Sequence, residues 1–235
     1  MGKIEDTKAY LENIEKELSL FWKKPDMIEL KMPLIDFLIQ DGWLKTPRII
    51  EAFQKIKRVD FLPKGMENLT ELNEPLHIGF GQTISQPLVV VFMLEQLEPK
   101  EGDKILDVGS GSGWTSALLG EIVGEAGKVV PIEIIPELME FGRQNVAKYN
   151  FVEKGIVEFI CTDGSKGYQK EAPYDKILAS ASAETLPQAW KEQLKIGGRI
   201  VTPIGSSIWL FIKKSATEFE EIEYPGFVFV PLITK

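Results

Sequence analysis

Two kinds of apolar run alternate along this chain, and their order predicts its architecture. Ile105, Leu106 and Val108 form a short run with almost no polar interruption. Lys128 to Ile132, Ile156 to Ile160, Lys176 to Ala179, Arg199 to Pro203 and Trp209 to Ile212 do the same. Such runs predict strands, buried on both faces where they are continuous. Between them, apolar positions recur at helical spacing. Ala117, Leu118, Leu119 and Ile122 follow Thr115, a second segment opens at Pro136 and runs to about Lys148, and a third spans Leu186 to Leu194, closed by Gly197-Gly198. Strands alternating with helices imply an α/β fold with a mainly parallel, doubly wound sheet. Phe227 to Val230 is the last expected strand, and with Trp209 to Ile212 it predicts an antiparallel pair at one edge. The intervening Glu218 to Glu223 reads as an acidic surface connection.

Ahead of the sheet the pattern is helical. Leu11, Ile14, Leu18 and Phe21 predict an amphipathic helix over residues 4–22, broken by Lys23-Lys24-Pro25-Asp26. A second helix covers Leu34 to Gln40. A third starts at Thr46-Pro47, with threonine as N-cap, proline at the first position and Ile49, Ile50, Phe53 and Ile56 on one face. Asn73 to Pro87 is rich in glycine, proline and small polar residues and predicts a structured loop, with His77 as a loop-packing residue. Val89 to Leu97 reads as a largely buried helix. The chain therefore divides into an N-terminal amphipathic helical extension, 1–33, and a domain, 34–235.

Composition narrows the function classes. With 27 basic and 35 acidic residues the net charge is −8, which argues against a broad nucleic-acid surface. One cysteine, Cys161, and one histidine, His77, leave no disulfide framework within the chain and no metal site built on those residues. No apolar stretch reaches the roughly 18 residues of a membrane span, and the charged start Met1-Gly2-Lys3-Ile4-Glu5-Asp6 is unlike a signal peptide. The expectation is a cytoplasmic protein, a monomer or small homo-oligomer, with no membrane or nucleic-acid partner.

The candidate chemistry lies where the first buried strand runs into Gly109-Ser110-Gly111-Ser112-Gly113-Trp114. A glycine turn between a strand and a helix delivers backbone N–H groups to a ligand, and Glu133 closes the next strand as a ribose-binding acid would. The third glycine falls one position earlier than in the dinucleotide fingerprint G-x-G-x-x-G. Asp107, just before the turn, would repel phosphates but suits a cation such as the ammonium or sulfonium of S-adenosylmethionine (AdoMet). The pattern favours AdoMet over NAD. Asp163-Gly164 sits past the end of another strand, where Asp163 either accepts from the adenine amino group or caps a turn.

Ile78-Gly79-Phe80-Gly81-Gln82-Thr83-Ile84-Ser85-Gln86-Pro87 resembles the signature G-x-G-Q-T-I-S-x-P of the protein-L-isoaspartate O-methyltransferases, which ordinary methyltransferases lack. Arg58-Val59-Asp60-Phe61-Leu62-Pro63, the glycine turn, Ala172-Pro173-Tyr174-Asp175 and Gln193 to Arg199 are similar to the family as well, over roughly Leu34 to the end of the chain. The resemblance implies a Rossmann-like AdoMet-dependent methyltransferase fold and Ser85 as the active-site serine. It further implies an AdoMet site made by Thr83, Ile84, Ser85, Asp107, Gly109, Ser110, Gly111, Gly113, Glu133, Asp163 and Gly164. The implied substrate is a protein or peptide bearing isoaspartyl residues, the outcome being repair of damaged proteins. The chain departs from the family pattern on the expected substrate side, at Asn73-Glu74, at Leu88 and at Ala179-Ser180-Ala181. A related methyltransferase acting on another carboxylate, a peptide or a small molecule, and a catalytically silent AdoMet-binding protein, are the alternatives.

Overall fold

The computed structural model describes residues 32–235. The expected helix over residues 4–22 lies outside them. Two helices open the described domain, α1 (Leu34–Gln40) and α2 (Pro47–Lys55). Pro47 stands at the start of α2 as expected, but Thr46 does not cap it with its side chain. The Thr46 hydroxyl donates instead to Glu95 Oε2 at 2.6 Å, and the Thr46 amide to Glu95 Oε1 at 2.9 Å, which ties α2 to a distant helix.

The 73–87 stretch is more ordered than a loop. It holds a hairpin of β1 (Leu76–Gly79) and β2 (Gln82–Ile84), turned at Phe80 with Gly79 and Gly81 on either side, all three at positive φ. Only glycine takes that backbone without strain, so short glycine spacing here encodes a tight turn. Helix α3 (Pro87–Leu97) follows directly and is buried along nearly its whole length.

The main sheet has seven strands: β3 (Lys104–Val108), β4 (Lys128–Glu133), β5 (Ile160–Cys161), β6 (Tyr174–Ala179), β7 (Leu194–Ile204), β8 (Ser207–Lys213) and β9 (Phe219–Pro225). Their order is β5-β4-β3-β6-β7-β8-β9, parallel from β5 to β7 and antiparallel from β7 to β9. Helices α4 (Trp114–Val123), α5 (Pro136–Ala147) and α6 (Gln188–Gln193) connect the parallel strands. This is the Rossmann-like architecture expected for AdoMet-dependent methyltransferases.

The antiparallel edge is built differently from the expectation. The acidic stretch is strand β9, pairing Ile208 with Tyr224 and Leu210 with Ile222. Its alternation puts Ile222 and Tyr224 on one face with Glu220, and Glu221 and Glu223 on the other, and a charged outer strand discourages pairing with another chain. Phe227 to Val230 leaves the sheet: Phe227 stacks on Phe92, and Val230 accepts a hydrogen bond from the Ser182 amide. Two boundaries also move. The run expected as a strand from Ile156 to Ile160 contributes only β5 and an isolated bridge from Val157 to Val129. Gly197-Gly198 does not close a helix but lies within β7, where a Cβ on Gly198 would meet the Asp175 carbonyl oxygen at 2.8 Å.

Trp190 on α6 is fully buried in the core cluster, and its Nε1–H donates to the Gly164 carbonyl at 2.8 Å. That bond joins the packing layer to the turn after β5. Trp190→Phe removes the donor and part of the ring, and is expected to cost about 1–3 kcal/mol of stability in urea unfolding.

Candidate active site

The turn after β3 is held by the strand beside it. Gly109 N–H and Ser110 N–H both donate to the Ile132 carbonyl, at 2.9 and 3.1 Å, and Gly111 N–H donates to Glu133 Oε2 at 2.9 Å. Glu133 Oε1 accepts from the amides of Ile134 and Ile135 at 2.9 and 3.1 Å, so three backbone amides orient one carboxylate. Gly113, at φ +83°, approaches α5 so closely that a Cβ would lie 2.8 Å from the Gly142 carbonyl oxygen. It does the packing work of the fingerprint's third glycine.

A pocket opens at the carboxyl ends of the parallel strands, at the switch between β3 and β6 where open α/β sheets bind ligands. Its walls include Val108 to Ser112 from the first turn, Ile132 to Ile135 after β4, Gly164 after β5, and Ser180 and Ala181 after β6. The hairpin contributes Gln82, Thr83, Ile84 and Ser85. Thr83, Ile84, Ser85, Gly109, Ser110, Gly111, Glu133 and Gly164 are thus gathered around one pocket from four segments of the chain.

Of the residues the resemblance implies for the AdoMet site, Asp107, Gly113 and Asp163 are not on that wall. The Asp107 carboxylate is fully buried beneath the turn, with Oδ2 accepting from Ser116 Oγ at 2.6 Å. Asp163 caps the turn that follows it: Oδ1 accepts from the Ser165 amide and hydroxyl, and Oδ2 accepts from the Lys235 amide at 2.9 Å. Burial alone would raise its pKa, but these bonds, joined by Lys166, outweigh it and hold the group at about 2. Both Asp163 oxygens are therefore engaged by protein groups.

Several wall residues carried no signal in the sequence pattern. Trp114 and Thr115 belong to the first turn of α4, Val230 ends the segment expected to be a sheet strand, and Pro231 to Ile233 follow it. That segment reaches the pocket because Ser182 N–H donates to the Val230 carbonyl and Leu232 N–H to the Ser182 carbonyl, each at 2.8 Å. Nothing in residues 230–233 themselves encodes the pairing.

The donor set suits the amino-acid and ribose portions of AdoMet. Ser110 Oγ, Trp114 Nε1 and Asp107 Oδ1 are buried with no hydrogen-bond partner in the protein, a mixture of donors and acceptors grouped around the glycine turn. Glu133 adds a fixed acceptor on the wall, with at least one lone-pair direction beyond those its three amides use. Apolar Ile84, Ile134 and Leu232 supply flat cover for a base. Among the described residues no cluster of His, Cys, Asp and Glu has a geometry for a metal ion.

Asp107 generates a pH dependence. Burial, and then the charge of Glu133, push its pKa up to about 6 despite the Ser116 bond, against about 3.9 in an unfolded chain. The native state holds the proton more tightly, so the contribution to stability is full below about pH 4 and is lost as pH rises through about 6. Roughly two units correspond to about 3 kcal/mol. Asp107→Asn is expected to flatten the unfolding free energy between about pH 4 and 6 relative to the parent chain. Parallel urea curves at each pH for the two proteins would refute the assignment.

The described domain matches known proteins over nearly all its length. Residues 29–235 fit the family model for protein-L-isoaspartate(D-aspartate) O-methyltransferase. The protein-L-isoaspartate O-methyltransferase of Methanopyrus kandleri is 40% identical over 204 residues, covering 85% of this chain and 89% of that one. Protein-L-isoaspartate O-methyltransferase 2 of Archaeoglobus fulgidus is 45% identical over 188 residues, covering 79% and 84%. Among solved structures, the Plasmodium falciparum protein described as a putative protein-L-isoaspartate O-methyltransferase, in complex with S-adenosyl-L-homocysteine, superposes with a TM-score of 0.78. It is 21% identical, covers 86% of this chain and 97% of its own, and on that identity speaks for the fold. With the glycine turn, Glu133 and the Ser85 hairpin meeting at one pocket, the chain belongs to the protein-L-isoaspartate (D-aspartate) O-methyltransferase family.

Proposed function

We propose that this protein is an AdoMet-dependent methyltransferase that esterifies the free carboxylate of L-isoaspartyl residues in damaged proteins and peptides. The observation that carries the reading is the joining of two walls. The hairpin bearing Ser85 faces the same pocket as the glycine turn and Glu133, so an acceptor held by the one meets a cofactor held by the other.

A carboxylate with a pKa near 4 is already ionised at neutral pH, so the acceptor needs no general base. AdoMet supplies an electrophilic methyl group on a sulfonium centre. The protein's task is to orient the carboxylate oxygen in line with that methyl and to exclude water from the opposed charges. Ser85 Oγ is a hydroxyl on the pocket wall that can donate to a carboxylate oxygen, and Phe80, 60% exposed at the hairpin tip, offers an apolar surface for peptide flanking it. Leu88, where the family pattern has histidine or tyrosine, is buried in α3 and is not on the pocket wall. The same reading makes the enzyme a cytoplasmic monomer or small homo-oligomer acting on peptides rather than nucleic acid, in keeping with a net charge of −8.

Labelled methyl from AdoMet is expected to appear on an isoaspartyl peptide and not on its aspartyl counterpart, with slow release of methanol. Labelling of neither peptide by protein that binds AdoMet in calorimetry would sink the proposal. Ser85→Ala is expected to lower kcat by about tenfold or more while AdoMet affinity stays within about threefold. An equal loss of both would make Ser85 a cofactor-binding or structural residue.

A further inference from the structure

Arg58 is a cation in a place that folding alone does not favour. It is 6% exposed, its hydrogen bonds go to backbone carbonyls and none to a carboxylate, and its Nε is buried without a partner. A buried charge is costly, and here burial lowers the guanidinium pKa to about 10 even though the nearby charge of Glu71 opposes the shift. What the charge accomplishes is geometric. Nη1 donates to the carbonyls of Thr70 and Leu72 at 3.2 and 2.7 Å, and Nη2 to those of Glu74 and Ser85 at 2.7 and 3.4 Å. One planar fork thereby holds the 70–74 turn against the backbone of Ser85. Its other contact is with the pocket: the guanidinium carbon stands 5.4 Å from the ring centre of Trp114, the first residue of α4.

The clamped turn carries a second device. Asn73 Oδ1 accepts from the Leu88 amide at 3.0 Å. Helix α3 starts at Pro87, and its preceding residue, Gln86, makes no side-chain cap bond. Asn73 thus caps α3 from 15 residues away, satisfying one of the free first-turn amides. Ser85 lies two residues before that helix, between the Arg58 fork and the Asn73 cap.

We infer that Arg58 and Asn73 are positioning residues for Ser85, fixing its backbone from both sides without themselves lining the pocket. Asn73 lies at one of the departures from the family pattern, and its amide oxygen shows why an acceptor is what the place requires. A lysine at 58 could not reproduce the fork, because an ammonium donates from a single point.

The inference rests on the proposed methyl transfer for its kinetic arm and on hydrogen exchange for an independent one. Arg58→Lys and Asn73→Ala are each expected to lower kcat for the isoaspartyl peptide by about tenfold or more, with AdoMet affinity within about threefold in calorimetry. Asn73→Asp, which keeps an acceptor, is expected to restore turnover. In the same variants, amides of residues 82–90 are expected to exchange about fivefold or more faster, while those of the glycine turn keep their protection. Should the parent protein leave the peptide unlabelled, the proposed methyl transfer fails and the exchange pattern alone decides the positioning role. Should Arg58→Lys not fold, Asn73→Ala decides. Parent-like kcat and exchange in folded Asn73→Ala, or equal loss of turnover and AdoMet affinity, would overturn the inference.

Discussion

Glu133 accepting three backbone amides is the interaction around which the site is arranged. Its carboxylate bonds to Gly111 on the first turn and to Ile134 and Ile135 on its own, so the ends of β3 and β4 are locked together. A carboxylate has about four lone-pair directions. Three being taken by rigid backbone, the group cannot swing, and the remaining capacity points where the fold dictates. The Ile132 carbonyl, taking the amides of Gly109 and Ser110, braces the same junction from the other side. A binding turn made of glycine would otherwise be the most mobile part of the pocket.

The remaining walls are attached to this junction by contacts of long sequence separation. The hairpin reaches it through Ser85 and its neighbours, the β6 loop through Ser180 and Ala181, and the 230–233 segment through the backbone bonds of Ser182. Each is irregular or short, and each is anchored by a group outside the pocket. Arg58 and Asn73 anchor the hairpin, and Trp190 anchors the turn after β5 through the Gly164 carbonyl. The pocket is a meeting of loops on a rigid sheet, which is where open α/β folds place chemistry.

Two buried ionisable groups lie close behind these walls, Asp107 under the glycine turn and Arg58 under the hairpin. Both cost stability where an apolar side chain would not. Each supports a segment whose backbone conformation is specialised: the turn, with Gly109, Gly111 and Gly113 at positive φ, and the hairpin, with Phe80 at φ 54°. Local rules are broken at the site and compensated by the sheet packed around it.

The alternation of apolar runs and helical spacing determined the parallel sheet, the glycine turn at the end of β3 and the acid at the end of β4. These follow from covalent neighbours: a strand, a turn and a helix succeed each other within a few residues, and their signals are local. The tertiary structure decided what depends on partners remote in sequence. Glu218 to Glu223 reads as surface because it has few apolar positions, and it became a strand because Ile208 and Leu210 lie opposite Tyr224 and Ile222. Asp163 reads from the sequence as ligand or as cap, and in the fold the Ser165 and Lys235 amides donate to its two oxygens. Asp107 reads as facing the ligand, and in the fold Ser116, in the first turn of α4, takes its Oδ2 while Oδ1 keeps no protein partner. A side chain's direction depends on which donor reaches it first, and those donors were supplied by the folded chain.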